Sequence, residues 1–241
     1  MPSHVSLGHN PLIVAIDRSD LEEADRLAQL LGGTVGLLKV GLELFSAAGP
    51  DAVRRIARHA PVFLDAKLHD IPNTVGRAAA NLARLGVAML NVHALGGEAM
   101  VRAAVDGANR GASQANVSPP TILAVTVLSS LSGEALASPA SLAFEAREAG
   151  ATGAVVSGDD VSVVREAMGD DFTLVVPGIR PSSSSLNDHA RVLTPEEALN
   201  AGADYLVVGR PVTDARDPVG AARTILSEIH WSEPDAPSDP E

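Results

Sequence analysis

Short apolar runs alternate with longer amphipathic segments along most of the chain. Most of the runs are continuously apolar, which is typical of parallel strands covered by helices. A helical pattern follows each run, and this alternation predicts a single-domain α/β fold, a (β/α)₈ TIM barrel. The predicted strands are 12–17, 36–41, 62–67, 88–93, 121–127, 153–157, 173–178 and 204–210.

Local signals predict where several helices begin. Ser19 with Glu22, and Thr194 with Glu197, have the spacing of a capping box, in which each end of the pair satisfies a free backbone N–H. Asp217 precedes a proline, which is favoured at the first helical position. These signals fall between predicted strands, as the barrel requires.

The main alternative to the barrel is an open doubly wound sheet. That fold normally carries a glycine-rich fingerprint after its first strand, whereas this chain reads AIDRSD there. We predict one catalytic barrel domain at 11–230, an N-terminal extension at 1–10 and an acidic, disordered tail at 231–241. The polar stretch 111–120 is predicted to be a surface loop.

Composition narrows the functional class. The 241 residues carry a net charge of −12 and only 2% aromatic residues, which argues against a nucleic-acid partner. There is no cysteine, so disulfides and thiolate metal sites are excluded. No apolar run reaches the length of a membrane helix, and the first residues do not resemble a signal peptide. We therefore expect a soluble, cytoplasmic protein without a membrane partner.

The third predicted strand ends in an unusual group of charges, within the stretch FLDAKLHDIPNTV at 63–75. Asp65 and Lys67 share one face of the strand, with Cα atoms about 6.6 Å apart, while Ala66 faces a covering helix. In a barrel this strand end opens into the active-site mouth. Asp70 follows in the loop, held by Ile-Pro before the next helix.

Two further charges end the neighbouring strands, Asp17 after the first and Lys39 in the second. One such charge alone is usually part of a solvated or structural ion pair. Five of them on three successive strand ends indicate a charged cluster with Asp65, Lys67 and Asp70. Isolated buried charges are costly, so these five are expected to alternate in sign and pair.

Such a cluster suits one kind of chemistry. A lysine between two carboxylates stays protonated, so it is a poor Schiff-base nucleophile and a good proton donor. A carboxylate fixed beside an anionic group of the substrate destabilises the bound substrate, and loss of that group as carbon dioxide relieves the stress. The ammonium then stabilises and protonates the carbanion. Decarboxylation would then need no organic cofactor and no metal.

Two later strand ends predict an anion site. The stretches at 175–181 and 207–212 each leave a strand through a glycine and continue into an arginine, Arg180 or Arg210. Barrels often bind phosphate with the loops after strands seven and eight, where Gly209 would let backbone N–H groups approach the ligand. Two guanidinium groups can hold phosphate oxygens in bidentate fashion.

Three other features stay open at this stage. Thr126 ends the fifth strand and either contacts a polar ring edge or is an ordinary strand threonine. His93 is either a base or, as we favour, a hydrogen-bonded structural group. The polar stretch 182–189 either closes over a phosphate or is a long exposed loop.

These segments resemble a known family. FLDAKLHDIPNTV, PGIRP and LTPEEALNAGADYLVVGRPVTDARDP are similar to orotidine 5′-phosphate decarboxylases, and the resemblance runs from about residue 11 to residue 229. It implies a (β/α)₈ homodimer without cofactor or metal, with shared active sites at the dimer interface. The implied reaction converts orotidine 5′-phosphate to uridine 5′-phosphate in pyrimidine synthesis.

The resemblance also implies catalytic roles. Lys67 would donate a proton to C6 of the pyrimidine, and Asp65 would lie beside the departing carboxylate. Asp70, with Ile71 and Thr74, would reach into the partner's site.

The same resemblance implies a set of binding residues. Asp17 and Lys39 would hold ribose hydroxyls and complete the charge array, and Thr126 would contact the pyrimidine ring. Related sequences present a glutamine to the phosphate where this chain has His189, which could donate through a ring N–H. The residues implied for the 5′-phosphate are Arg180, Gly209 and Arg210.

Two other hypotheses compete with this reading. A sugar-phosphate lyase on the same scaffold would use Asp65 to hold Mg²⁺, although DIPNT after Lys67 disfavours it. A nucleotide-binding regulator without activity would gain nothing from the electrostatic stress of the cluster.

Overall fold

Eight parallel strands form the centre of the molecule. The computed structural model describes residues 9–126, 138–181 and 193–231. In these ranges each strand pairs with the next in the chain, and the last pairs back to the first, which confirms the predicted closed barrel. The strands are β1 (Leu12–Ala15), β2 (Leu37–Val40), β3 (Val62–Leu68), β4 (Met89–His93), β5 (Thr121–Val125), β6 (Gly153–Val155), β7 (Thr173–Pro177) and β8 (Tyr205–Val208).

Helices connect consecutive strands and cover the outside of the barrel. None of those in the described ranges is long and apolar enough to cross a membrane. The helices are α1 (Leu21–Leu31), α2 (Leu42–Ala48), α3 (Pro50–Ile56), α4 (Pro72–Ala83), α5 (Glu98–Ala115), α6 (Pro139–Glu148), α7 (Val161–Met168), α8 (Pro195–Asn200), α9 (Arg210–Thr213) and α10 (Pro218–Glu228).

The strands separate two apolar layers. Alternate residues of each strand face outward, toward the helices, or inward, toward the barrel axis. The outward residues join the helices in the larger core. The inward residues fill the barrel interior below its mouth, so the interior is a packed floor and not a channel. These inward residues are Ile13, Ala15, Leu37, Phe63, Met89, Leu123, Val175 and Val207.

Helices α4 and α5 pack with their backbones in close approach. A Cβ atom at Gly107 would overlap the carbonyl of Gly76, and one at Gly111 would overlap the carbonyl of Ala80. Only glycine permits this approach. Because α4 follows β3 and α5 follows β4, the close packing holds together the strand that carries Asp65 and Lys67 and the strand that carries Asn91.

The same packing explains a wrong prediction. The segment 111–120 is not all loop, because α5 continues to Ala115 and ends at Asn116, which takes the left-handed conformation. The polar composition concealed the small residues Gly111 and Ala112, which are buried in the helix.

The predicted helix starts are largely correct. The capping box of Thr194 and Glu197 is confirmed, and Asp217 caps α10 through the backbone N–H of the third helical residue. Helix α1, however, is capped by Asp20 and not by Ser19. The hydroxyl of Ser19 instead donates to Glu43 at 2.8 Å.

The described ends of the chain contact the barrel. The indole N–H of Trp231 donates to the carbonyl of His9 at 3.0 Å, and the amide of Asn10 donates to the carbonyl of Thr34 at 2.9 Å. Residues 1–8 and 232–241 lie outside the described residues. The predicted boundaries of the extension and the tail therefore stay predictions.

Candidate active site

A charged layer lies directly above the apolar floor of the barrel. The inward positions that continue from Leu37, Phe63 and Met89 by two residues are Lys39, Asp65 and Asn91. All three are buried, with relative exposures of 8%, 9% and 0%. The strand alternation that builds the floor therefore also aims these polar groups at the mouth.

Four of the predicted charges form one continuous array. The Nζ atom of Lys67 lies 2.5 Å from Oδ1 of Asp65, and Nζ of Lys39 lies 3.3 Å from Oδ2 of the same carboxylate. Lys39 also contacts Oδ1 of Asp17 at 3.2 Å. The signs alternate along the array, which is what makes burial of so much charge tolerable.

Asp65 stays ionised at the centre of this array. Burial alone would raise the pKa of its carboxyl group. The charge of Lys39, with the charge and hydrogen bond of Lys67 and the hydrogen bond from Asn91, outweighs burial and lowers the pKa below its usual value. The carboxylate therefore presents a fixed negative charge to the mouth.

Asp70 does not belong to the array within its own chain. Its side chain is exposed and accepts a hydrogen bond from the N–H of Ile71 at 2.6 Å. Among the ion pairs between described residues, none includes Asp70. Ile71, which precedes α4, and Thr74, in its first turn, are also exposed.

The end of β3 is not a regular strand. Lys67 has a φ of 47°, in the left-handed region that side chains other than glycine rarely adopt, and the register with β4 shifts between Leu64 and Leu68. Asp65 and Lys67 do share one side, as predicted, but through this irregular backbone and not through simple alternation.

Sequence reasoning missed Asn91. Its side-chain oxygen accepts the backbone N–H of Lys67 at 2.7 Å, and its amide nitrogen donates to Oδ1 of Asp65 at 2.6 Å. The available signal was a single amide inside the apolar run AMLNVH, two positions before His93.

The opposite wall of the mouth is mostly apolar. Ser157, which sequence reasoning also missed, is a polar exception, and its hydroxyl donates to Asp160 at 2.8 Å. The residues that line this wall of the cavity are Val125, Val155, Val156, Ser157, Pro177 and Val207.

Thr126 directly follows β5, beside this wall. Its side chain is buried, and its hydroxyl donates to the carbonyl of Val155 at 3.2 Å. The hydroxyl oxygen keeps lone pairs for a ligand donor. The next residues, 127–137, lie outside the described part of the chain.

The predicted anion site lies beyond β7 and β8, which are adjacent through the pair Pro177 and Val207. Arg180 is partly buried and Arg210 is exposed. Neither guanidinium group has an ion-pair partner among the residues that the structure describes.

Two other parts of the predicted anion site need separate mention. Gly209 precedes α9, and a Cβ atom there would have Ala15 as its nearest neighbour at 3.9 Å, so the backbone is open to a ligand. His189 falls in the segment 182–192, outside the described residues, and its role stays a prediction.

His93 ends β4 near the array. Its ring packs against that of His69 with a centroid distance of 5.2 Å. Burial lowers the pKa of His93, helped by the charges of His69 and Lys67, so its ring is neutral at pH 7. The expected hydrogen bond is not found among the described residues, where its neighbour is another ring.

The donor set disfavours a metal at Asp65. Both carboxylate oxygens already face an ammonium group, from Lys67 on one side and Lys39 on the other. A divalent cation binds oxygen ligands and would lie against these two positive charges. In the described ranges, no three acidic or histidine side chains are grouped as metal ligands.

Comparison with known proteins gives consistent findings. The family model described as "Orotidine 5'-phosphate decarboxylase / HUMPS family" matches residues 10–225. A relative from Moorella thermoacetica, named orotidine 5'-phosphate decarboxylase, is 50% identical over 230 residues, which cover 90% of this chain and 91% of the relative. A relative of the same name from Anaeromyxobacter dehalogenans is 51% identical over 229 residues, with coverages of 90% and 97%.

A solved structure agrees with these relatives. The crystal structure of orotidine 5'-phosphate decarboxylase from Lactobacillus acidophilus superposes with a TM-score of 0.79 and is 39% identical. The match covers 92% of this chain and 100% of that chain.

Proposed function

The chain belongs to the orotidine 5′-phosphate decarboxylase / HUMPS family, whose carboxy-lyase activity it carries, and we propose that Lys67 completes the reaction by protonating C6 of the pyrimidine. The reaction converts orotidine 5′-phosphate into uridine 5′-phosphate and carbon dioxide, a step of pyrimidine biosynthesis. Neither a metal nor an organic cofactor takes part in the proposed mechanism.

In the proposed mechanism, the ionised Asp65 destabilises the bound substrate by electrostatic repulsion. A substrate carboxylate placed at the mouth would face the negative charge of Asp65, which the two lysines keep deprotonated. The bond between C6 and the carboxylate breaks, its electron pair stays on C6, and carbon dioxide leaves. The repulsion disappears with the departing charge, so the transition state is favoured over the bound substrate.

Lys67 then supplies the proton. Its ammonium lies in the mouth, partly exposed, and paired with Asp65 at 2.5 Å. A fixed positive charge beside C6 stabilises the growing carbanion without reorganisation of solvent. The proton moves from Nζ to C6, and the neutral amine regains a proton from solvent before the next turnover.

The remaining substrate groups bind around this centre. Asp17 and Lys39 would hold the ribose hydroxyls, because Asp17 ends the array with a half-exposed side chain and the buried Lys39 lies next to it. Thr126 would contact the pyrimidine ring. The 5′-phosphate would bind Arg180, Gly209 and Arg210, with His189 as a further donor. Two observations support this assignment: neither guanidinium has an ion-pair partner among the described residues, and the backbone at Gly209 is open.

The observation that carries the proposal is the ammonium of Lys67 held on the carboxylate of Asp65 inside the barrel mouth. The test follows the absorbance change of orotidine 5′-phosphate with purified protein in EDTA and no added cofactor. We expect full turnover. A requirement for Mg²⁺ would overturn the mechanism, and tight nucleotide binding without turnover would indicate a regulator.

The proposal includes a homodimer with shared sites. Asp70, Ile71 and Thr74 are exposed in this chain and do not reach its own array. Ile71 is also one of three exposed apolar residues that follow β2, β3 and β4, since Leu42, Ile71 and Leu95 are 53%, 66% and 52% exposed. Exposed apolar groups on adjacent strand ends suit a contact with a second copy, which would place Asp70 in the partner's site.

Mixing two inactive variants tests the shared site. Lys67→Ala and Asp70→Ala should each be inactive alone. When they are co-expressed in equal amounts, half of the dimers are hybrids with one intact site, so about a quarter of wild-type activity should return. Activity no greater than that of the two separate variants would contradict a shared site.

The cytoplasmic location, and the absence of a nucleic-acid or membrane partner, stay predictions from the sequence.

A further inference from the structure

The pairing of β3 with β4 is uneven at the active site. Leu64 pairs with Leu90 and Leu68 with Val92, so three residues of β3 face one residue of β4, Asn91. The extra residues let the strand bend, as at other β-bulges. Asp65 and Lys67 both lie in this irregular stretch, so ordinary strand pairing does not fix their positions.

The side chain of Asn91 takes the place of the missing strand contacts. It accepts the backbone N–H of Lys67 at 2.7 Å and donates to Asp65 at 2.6 Å. Chemistry fixes the orientation of the amide, because the backbone N–H can only donate and an ionised carboxylate can only accept. Asn91 is fully buried, its bond to Asp65 is buried as well, and its bond to Lys67 is partly buried.

We propose that Asn91 is a positioning residue, whose single amide holds the backbone of the proton donor Lys67 and the carboxylate of Asp65 at a fixed separation. The inference rests on the proposed function, because it concerns the geometry of that reaction. Asn91 itself is not among the residues that line the cavity, so it would act through Lys67 and Asp65. Its oxygen holds Lys67 in the left-handed conformation, and its N–H group holds the carboxylate with which the ammonium pairs.

The proposal explains why an amide is required at this position. An apolar side chain of similar size would lose both bonds. An aspartate would still accept the N–H of Lys67, but it would place a second carboxylate against Asp65, and two such groups share a proton more readily than they both ionise. Only while that proton is present would the new side chain reproduce both bonds of the amide.

The first test is Asn91→Leu in the cofactor-free assay. We expect kcat to fall about 100-fold, the effect of misplacing a catalytic group by about 1 Å, while KM changes by less than about 3-fold. The matched control is Met89→Leu, on the same strand and the same inward face but in the apolar floor. A volume-conserving swap there should leave kcat within about 3-fold of wild type.

The second test is the pH profile of Asn91→Asp, expressed as a ratio to wild type. We expect the ratio of kcat values to be highest near pH 5 and to fall about 10-fold or more by about pH 8, as the shared proton is lost. The other titratable and charged groups near position 91 are Lys39, Asp65, Lys67, His69 and His93. They are present in both proteins, so the ratio removes their contributions.

Several results would overturn the inference. If Asn91→Leu folds and keeps kcat within about 3-fold of wild type, the two hydrogen bonds of Asn91 are not needed to position Lys67 and Asp65. A pH-independent ratio for Asn91→Asp would leave Asn91 with a structural role alone, and this test decides the matter if Asn91→Leu does not fold. A crystal structure of Asn91→Leu with Lys67 still left-handed and paired with Asp65 would also contradict it. Failure of the proposed function is distinct, because wild-type protein would then be inactive.

Discussion

The two halves of the barrel mouth differ in how their charges are satisfied. At the ends of β1 to β4, Asp17, Lys39, Asp65 and Lys67 pair with one another, and Asn91 ties the array to the backbone. At the ends of β5 to β8 the wall is mostly apolar, and Arg180 and Arg210 have no ion-pair partner among the described residues. The charges of one half pair within the chain, and we propose that those of the other half bind a ligand.

We assign catalysis to the half with paired charges and anchoring of the substrate to the half with the two arginines. An array that is already paired and oriented needs little reorganisation when the reacting carbon gains charge, which is the main source of electrostatic catalysis. Guanidiniums without an ion-pair partner among the described residues would instead bind a group that does not react, and that binding energy can offset the cost of bringing a carboxylate beside Asp65. Variants in the two halves should therefore fail in different ways.

The largest effect is expected from the paired half. Lys67→Met keeps the apolar stem but removes the proton donor and the positive charge. We expect kcat/KM to fall by at least about 10⁴-fold, because general acid catalysis and charge stabilisation are lost together. The measurement is the cofactor-free assay at saturating and limiting substrate.

Product binding provides the control for Lys67→Met. The affinity for uridine 5′-phosphate should change by less than about 10-fold, since the phosphate site is untouched. A variant that keeps more than a hundredth of the activity, as expected for one lost hydrogen bond, would show that another group donates the proton.

Much of this comparison could be predicted from the sequence. Continuous apolar runs predicted all eight strands, because each parallel strand is buried between the barrel interior on one face and the covering helices on the other. The charges of the paired half were visible because they interrupt those runs at Asp17, Lys39, Asp65 and Lys67. The strand ends were placed less well: β8 ends at Val208, and Arg210 already begins a helix.

What the sequence concealed depends on register and loop direction. Asn91 is one polar residue in an apolar run, and its partners are set by a shifted pairing that no periodicity reveals. Asp70 was expected in the cluster from its spacing, but the loop after β3 points it outward. Ser157 gave no signal, because a serine after a short strand is common in turns.

The next effect concerns stability in the paired half. Asp65→Asn leaves the ammonium groups of Lys39 and Lys67 facing each other in a site that is largely buried. Removing one partner of a buried ion pair costs about 3–5 kcal/mol, and we expect a loss of that size in the free energy of unfolding at pH 7. Urea denaturation of both proteins across the pH range measures it.

The pH dependence of this loss has a definite sign. The pKa of Asp65 is lower in the folded protein than its ordinary value of 3.8, so the carboxylate stabilises the fold above that pH. The stabilisation disappears as the pH falls through the folded-state pKa, and the difference from Asp65→Asn should shrink there. The surface pair Asp51 and Arg54 is the control, since Asp51→Asn should cost less than about 1 kcal/mol at pH 7. Equal losses at both sites would contradict the contrast.

The smallest effect is expected in the anchoring half. Arg210→Ala should raise KM by about 10- to 100-fold, the value of one or two charge-assisted hydrogen bonds, with the same direction for Arg180→Ala. The decisive measurement repeats the assay with orotidine, which lacks the phosphate. Its kcat/KM should be the same for wild type and for Arg210→Ala, because the lost contact was made to the missing group.

Arg223→Ala on the exposed face of α10 controls for loss of a positive charge in a protein of net charge −12. It should leave KM within about 2-fold, since isolated surface charges act weakly at physiological salt. If Arg210→Ala lowers kcat/KM for orotidine as strongly as for the nucleotide, the guanidinium acts on the reacting ring, and the division between a catalytic and an anchoring half is wrong. If only the nucleotide is affected, the two halves do separate work: one binds a group that does not change, and the other stabilises a charge that exists only during the reaction.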